Sequence, residues 1–243
     1  MNSVDFEGYT GIGWGESLLI HDILVCALIV LLSIFAYAFY TCYPLFEKMI
    51  HGVFAFKERQ NLFDTPTRES VFFNIFMRFQ ALFLATVMLF WVFCRITGIQ
   101  VRDIGQALIL LNVLLIMLVC LYLLKRLLYY LYSSVFISKG KYKLLNTTYH
   151  TLLYLYGIFL YIPVWWLILD REHIMGALML SAILFAIFRI SAIYVTTRIF
   201  YDKNNGFLFL SLYLCAQEIV PLLFLYECLT YLHNVIESSI LWQ

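Results

Sequence analysis

Six stretches of this chain are apolar over about 20 residues or more, enough for a helix to cross roughly 30 Å of hydrocarbon. They run approximately from Ile23 to Tyr43, Val71 to Cys94, Ile104 to Leu124, Tyr149 to Leu169, Ile174 to Thr197 and Phe207 to Leu232. Inside a bilayer the backbone must satisfy its own amides and carbonyls, which leaves helices or closed barrels. A barrel strand alternates polar and apolar residues over about ten positions, whereas Ile104 to Leu124 is nearly uniform, so helices are predicted. The 63% apolar and 13% charged content agrees, since soluble domains run at about 45 to 50% apolar. The expected fold is all-α: a polytopic membrane protein with six transmembrane helices. Residues 1–22 form an N-terminal tail, 23–232 a single transmembrane domain and 233–243 a C-terminal tail.

With a formal net charge of +1, the basic residues matter by position and not by sum, and nucleic acid is not an expected partner. The loops after the first, third and fifth runs carry eleven of them: Lys48, Lys57, Arg59 and Arg68, then Lys125, Arg126, Lys139, Lys141 and Lys143, then Arg198 and Lys203. The alternate loops carry three, Arg95, Arg102 and Arg171. Because basic loops stay in the cytoplasm, both termini are expected to be extracytoplasmic. Trp14, Trp91, Trp165, Trp166 and Trp242 fall at or beyond the outer ends of their runs in this register, as interfacial belt residues do. Residues 1–17 hold no Lys or Arg, so a cleavable signal peptide is not expected.

Leu45, Phe46, Met49, Ile50, Val53 and Phe54 recur at helical spacing opposite Glu47, Lys48, His51 and Lys57, the pattern of a cytoplasmic amphipathic helix lying in the headgroup plane. Lys125, Arg126, Lys139, Lys141 and Lys143 are read as a topology signal and as contacts for anionic lipid.

Arg78, Arg189, Glu218 and Glu227 are embedded in the apolar runs, where a charge costs at least roughly 2.5 to 3.5 kcal/mol near the bilayer centre and so faces protein or water. By helix rise, Glu218 lies roughly 16 Å deep and Arg78 and Arg189 roughly 10 to 12 Å from the cytoplasmic boundary, levels that allow one inward-facing cavity. Asn74, Arg78, Ala81 and Ala85 share one helical stripe; so do Ala182, Ala186, Arg189, Ala192 and Thr196, and Ser211, Cys215 and Glu218. Small stripes are packing faces in membranes. Pro221 cannot donate to the Gln217 carbonyl, which predicts a kink at mid-membrane, and Pro163 predicts another in the fourth helix. Mutual neutralisation that locks the bundle, a ligand or ion site, and catalysis all remain open readings of these charges. Two arginines sharing one carboxylate leave positive charge that an anionic lipid or isoprenoid phosphate would satisfy, because guanidinium donates paired hydrogen bonds to phosphate. Glu227 is read as structural or interfacial.

His21, Asp22, Asp170, Glu172, His173, Glu227 and His233 gather at the outer side, but neither HxxxH nor HExxH occurs, and they are read as solvated loop residues without a metal. No CxxC pair occurs among the six cysteines, which are read as packing residues. Phosphate loops, nucleophile elbows and paired aspartate motifs are missing, so neither an enzyme nor a cofactor is expected.

The segment Leu212-Tyr213-Leu214-Cys215-Ala216-Gln217-Glu218-Ile219-Val220-Pro221-Leu222-Leu223 resembles the final-helix signature, LYLC-x-x-E-I-x-P-L-L, of a domain-of-unknown-function family of multi-pass inner-membrane proteins from Gram-negative bacteria. Phe54-Ala55-Phe56 with the charged turn that follows, and Lys125 after the third run, are similar to that family too, so the resemblance covers most of the chain beyond the first helix. It implies an inner-membrane protein of unassigned biochemistry in which Glu218 and Pro221 occupy recurrent positions, with an anionic isoprenoid or lipid as the implied substrate. Where that family often carries a basic residue after the proline segment, this chain has Glu227, and no role is carried over. The expected function is a binding or transport component with a cytoplasm-facing polar cavity for an anionic lipid or small anion. The alternative is a non-catalytic scaffold subunit of a cell-envelope membrane complex with a membrane-protein partner.

Overall fold

The computed structural model describes residues 16–54, 68–98, 104–136, 139–170, 173–200 and 219–238. All regular structure among them is helical: α1 (Glu16–Phe54), α2 (Arg68–Thr97), α3 (Ile104–Phe136), α4 (Lys139–Leu169), α5 (Ile174–Phe200) and α6 (Val220–Ser238). Among the described residues five segments are long and apolar enough to cross a membrane: Asp22–Tyr43, Val71–Thr97, Ile104–Leu131, Asn146–Leu169 and Ile174–Arg198. The sixth expected run is described only from Ile219 onward. Its first half, Glu218 and any kink ahead of Pro221 lie outside the described residues. Pro221 itself is the second residue of the described α6.

Two helices make the centre of the bundle. Over their apolar windows 56% of α4 and 44% of α2 is buried inside the protein, against 22% for α1, α3 and α5. Gly157 lets the central pair meet: a Cβ there would lie 2.8 Å from the Ala81 Cβ and 3.0 Å from its Cα, closer than a side chain allows. Small residues at such crossings bring membrane helices to backbone distance, where dispersion and not the hydrophobic effect holds them. Phe73, Met77 and Leu84 of α2 and Leu160 and Val164 of α4 fill the core around this crossing. Apolar side chains on the outer sides of α1, α3 and α5, such as Val30, Ile109, Ile116, Ile187 and Ile190, are exposed. A surface of that kind is what lipid solvates.

Contact register sets the helix directions. Phe73 and Asn74 meet Tyr154 while Ala81 meets Gly157, so α2 and α4 run parallel. Phe90 and Phe93 pack with Ala107 and Leu110 while Arg78 faces Tyr122, so α2 and α3 are antiparallel. Trp166 covers Gly176 and Tyr156 stacks on Phe188, so α4 and α5 are antiparallel as well. One end of the bundle therefore carries Trp91, Trp165 and Trp166. Ile23 and Leu24 of α1 join Phe90, Ile104 and Ala107 there, and Ile236 of α6 packs against Phe90 and Ala107. The start of α1 and the end of α6 thus share an end, and the basic residues of α2 and α3 sit toward the other.

Helix α1 breaks its winding at Cys42 (φ −112°, ψ 20°) and then continues to Phe54. Pro44 supplies the reason, since it has no N–H for the Tyr40 carbonyl and its ring disfavours helical dihedrals just before it. Phe46 packs against the core and meets Phe39 edge-on at 5.0 Å, so the segment expected to be amphipathic starts against the bundle. Helix α4 winds through Pro163 without interruption. Helix α3 runs unbroken through Lys125 and Arg126 to Phe136.

Candidate functional site

Arg78 lies seven residues into the apolar segment of α2, about 10 Å along the helix axis from its start. The stripe that carries it faces α4. Its Nε donates to the Asn74 carbonyl oxygen at 3.1 Å and to the Tyr154 hydroxyl at 3.4 Å. Tyr154 in turn donates to Asn74, with 3.3 Å to its carbonyl and 3.2 Å to Oδ1. This braces α2 against α4 one turn from the Ala81–Gly157 crossing. Every acceptor in it is neutral, and the two terminal nitrogens of the half-buried guanidinium hydrogen-bond to none of the described residues.

Helix α3 closes the other side. The Tyr122 hydroxyl is buried close enough to interact with the same guanidinium but makes no hydrogen bond of good geometry, and Nδ1 of His150 is buried without one. The rings of Tyr122 and His150 are 6.3 Å apart, and His150 stacks on Tyr154 with centroids 6.3 Å apart and planes 15° from parallel. Buried polar atoms are nearly all satisfied in proteins, so two orphans around one open guanidinium need an explanation. One turn further along α3, Lys125 is buried at 6% exposure and its Nζ lies 4.9 Å from the centre of the Tyr149 ring, which also packs on Tyr129. Arg126 is exposed, close enough for its charge to act on Tyr122 and His150. The result is a cleft between α2, α3 and α4 with three cations and four aromatic side chains that carry polar atoms.

Of the residues singled out by sequence, Arg78, Lys125 and Arg126 are brought into this cleft. Lys125 points inward, so within the pair only Arg126 lies on the surface. Arg189 lies on α5, its guanidinium carbon 5.5 Å from the centre of the Phe185 ring. Its neighbour Phe188 packs on Tyr149 at 6.1 Å and on Tyr156 at 4.9 Å, which places Arg189 behind the aromatic wall of the cleft. The single cavity expected for Arg78, Arg189 and Glu218 cannot be traced as a whole, because Glu218 lies outside the described residues. Lys139, Lys141 and Lys143 belong to the first turns of α4. Glu227 is exposed on α6.

Tyr122, His150 and Tyr154 are not legible as site residues in the sequence, because tyrosine and histidine near the end of an apolar run read as interfacial packing. The available signal is the i,i+4 pair His150 and Tyr154 on the face of α4 that also carries Gly157. At the opposite end, Asp170 accepts from the His173 backbone N–H at 3.3 Å and pairs with its ring Nδ1 at 2.9 Å, a local cap at the start of α5. Among the described residues no three His, Cys, Asp or Glu side chains gather as metal ligands.

The profile of a family described as a domain of unknown function, DUF4271, matches residues 24–229, nearly the whole transmembrane region, and the chain belongs to that family. No curated protein and no solved structure is significantly similar to it.

Proposed function

We propose that this member of the DUF4271 family is a bacterial inner-membrane protein that binds an anionic ligand, an anionic lipid or a small anion, in the cleft between α2, α3 and α4, as a binding or transport component. One observation carries the reading: inside a membrane-crossing segment, and among the described residues, the groups that Arg78 meets are all neutral, Nε on the Asn74 carbonyl and the Tyr154 hydroxyl with the Tyr122 hydroxyl beside the guanidinium. An intramembrane guanidinium is costly and calls for a partner, and its terminal pair is built to hold an oxyanion in two parallel hydrogen bonds. The eleven-to-three split of loop Lys and Arg supports a cytoplasmic position for this end, with both termini extracytoplasmic. In that orientation residues 45–54 lie along the inner headgroup layer, and Lys139, Lys141 and Lys143 attract anionic lipid toward the cleft.

The scaffold reading draws on the Nε contacts, since a brace between α2 and α4 needs no ligand. Native mass spectrometry of gently solubilised protein separates the two. Binding predicts an anionic lipid or small anion retained by the wild type and lost in Arg78→Leu. A stoichiometric protein partner with no retained anion, unchanged in Arg78→Leu, overturns it in favour of the scaffold.

A further inference from the structure

The same cleft has an arrangement of polar atoms that narrows the chemistry of what it takes, and the inference rests on the anion-binding reading above. Arg78 offers two terminal nitrogens that only donate. Tyr122 offers a hydroxyl that donates or accepts, and His150 an Nδ1 whose role follows its tautomer; both are buried and unpartnered. These atoms come from three helices, α2, α3 and α4, and converge: Tyr122 faces Arg78, its ring is 6.3 Å from that of His150, and His150 stacks on the tyrosine that holds Arg78 Nε.

A halide presents a single centre to this set. A carboxylate held by the guanidinium pair keeps lone pairs only in the plane of its two oxygens, so it can reach groups that lie in that plane. A tetrahedral oxyanion has oxygens to spare after the bidentate contact, directed out of the guanidinium plane. We propose that Arg78, Tyr122 and His150 together form a site for a phosphate group, with two oxygens on the guanidinium and a third oxygen, or its proton, shared between the Tyr122 hydroxyl and His150 Nδ1. Binding would then satisfy every polar atom that the cleft leaves open. The aromatic ring of Tyr149 holds Lys125 at the rim, and Arg126 lies on the lipid-facing side of the same turn, so positive potential extends from the site to the surface. A phosphate can arrive from either source, as a lipid headgroup drawn between helices or as a free ion from the basic end.

The test uses the full-length protein in neutral-lipid nanodiscs and measures its affinity for inorganic phosphate by calorimetry. In parallel, nanodiscs are doped with phosphatidic acid and retention is read by native mass spectrometry, with acetate and chloride as comparison anions. Phosphate in one of the two forms is expected to bind better than either comparison anion. Tyr122→Phe and His150→Phe are each expected to weaken it about tenfold, the loss typical of a hydrogen bond to a charged group, while acetate and chloride stay unchanged. Arg78→Lys should weaken it further, because lysine keeps the charge and loses the fork. Thermal unfolding of each variant confirms that the bundle is intact. If Arg78→Leu abolishes anion binding while Tyr122→Phe and His150→Phe leave phosphate affinity unchanged, the three-residue site is wrong and the anion-binding reading stands. If acetate or chloride binds as well as phosphate, the phosphate assignment is overturned. If no anion binds the wild type in either form, both fall.

Discussion

Tyr154 does two jobs at once, donating to Asn74 and accepting from Arg78, so it decides whether the guanidinium is held or left to find its own contacts. Tyr154→Phe keeps the ring that packs on Phe73 and removes only the hydroxyl. It should cost about 1 to 2 kcal/mol of stability, the value of a partly buried hydrogen-bonded bridge. A double-mutant cycle with Asn74→Ala, read by thermal unfolding in one detergent, should show coupling on the order of 1 kcal/mol. Additive losses would show that the bridge seen between α2 and α4 is energetically idle. Elsewhere in α2, Gln80 is 1% exposed with neither amide atom bonded, on the face opposite Arg78. Nothing in its apolar surroundings accounts for a glutamine at that position.

At the scale of helices, the contact between α2 and α4 limits everything around the cleft, because the brace and the crossing lie within one turn of each other. Gly157→Ala would drive a methyl group into Ala81 at backbone distance, where no side-chain rotation relieves it. The expected loss is about 1 to 3 kcal/mol, the usual cost of overpacking a close-fitted core, and Ala81→Gly in the same protein should recover part of it. Equal stability of Gly157→Ala and the wild type would mean that the two helices are not in contact there. The break at Cys42 belongs to this scale as well. Position 44 needs no neighbour to stop the α1 ladder, which is why a local rule locates it.

For the whole molecule the decisive fact is that α1 begins and α6 ends at the same, tryptophan-bearing end. Those two helix ends therefore share one end of the bundle, and the split of basic residues is what the proposed orientation rests on. A reporter active only outside the cytoplasm should work when fused after Gln243 and fail when inserted between Lys139 and Lys143. The reverse pattern would place the Arg78 cleft on the outer side and remove the cytoplasmic route to it. Activity at both positions would contradict the three crossings, α4, α5 and α6, expected between them.

Membrane helices announce themselves locally, because the bilayer tests each run of residues for length and apolarity before any run has met another. Five of the six runs are therefore legible in the sequence with bounds close to those of the structure, and so is the stripe on which Arg78 and Asn74 lie. What the stripe meets is a different matter. Whether Arg78 turns to Arg189 and Glu218 or to Tyr154, Tyr122 and His150 depends on which helices neighbour α2 and at what register. Gly157 and Ala81, far apart in the chain, settle that register by steric fit. The same holds for Lys125 and Arg126: adjacent in sequence and identical in charge, they read as one topology signal, yet about 100° of helical rotation puts one under an aromatic ring and leaves the other on the surface. A charge in an apolar run says that a partner is required, and only the packing of α2 against α3 and α4 says which atoms are close enough to be one.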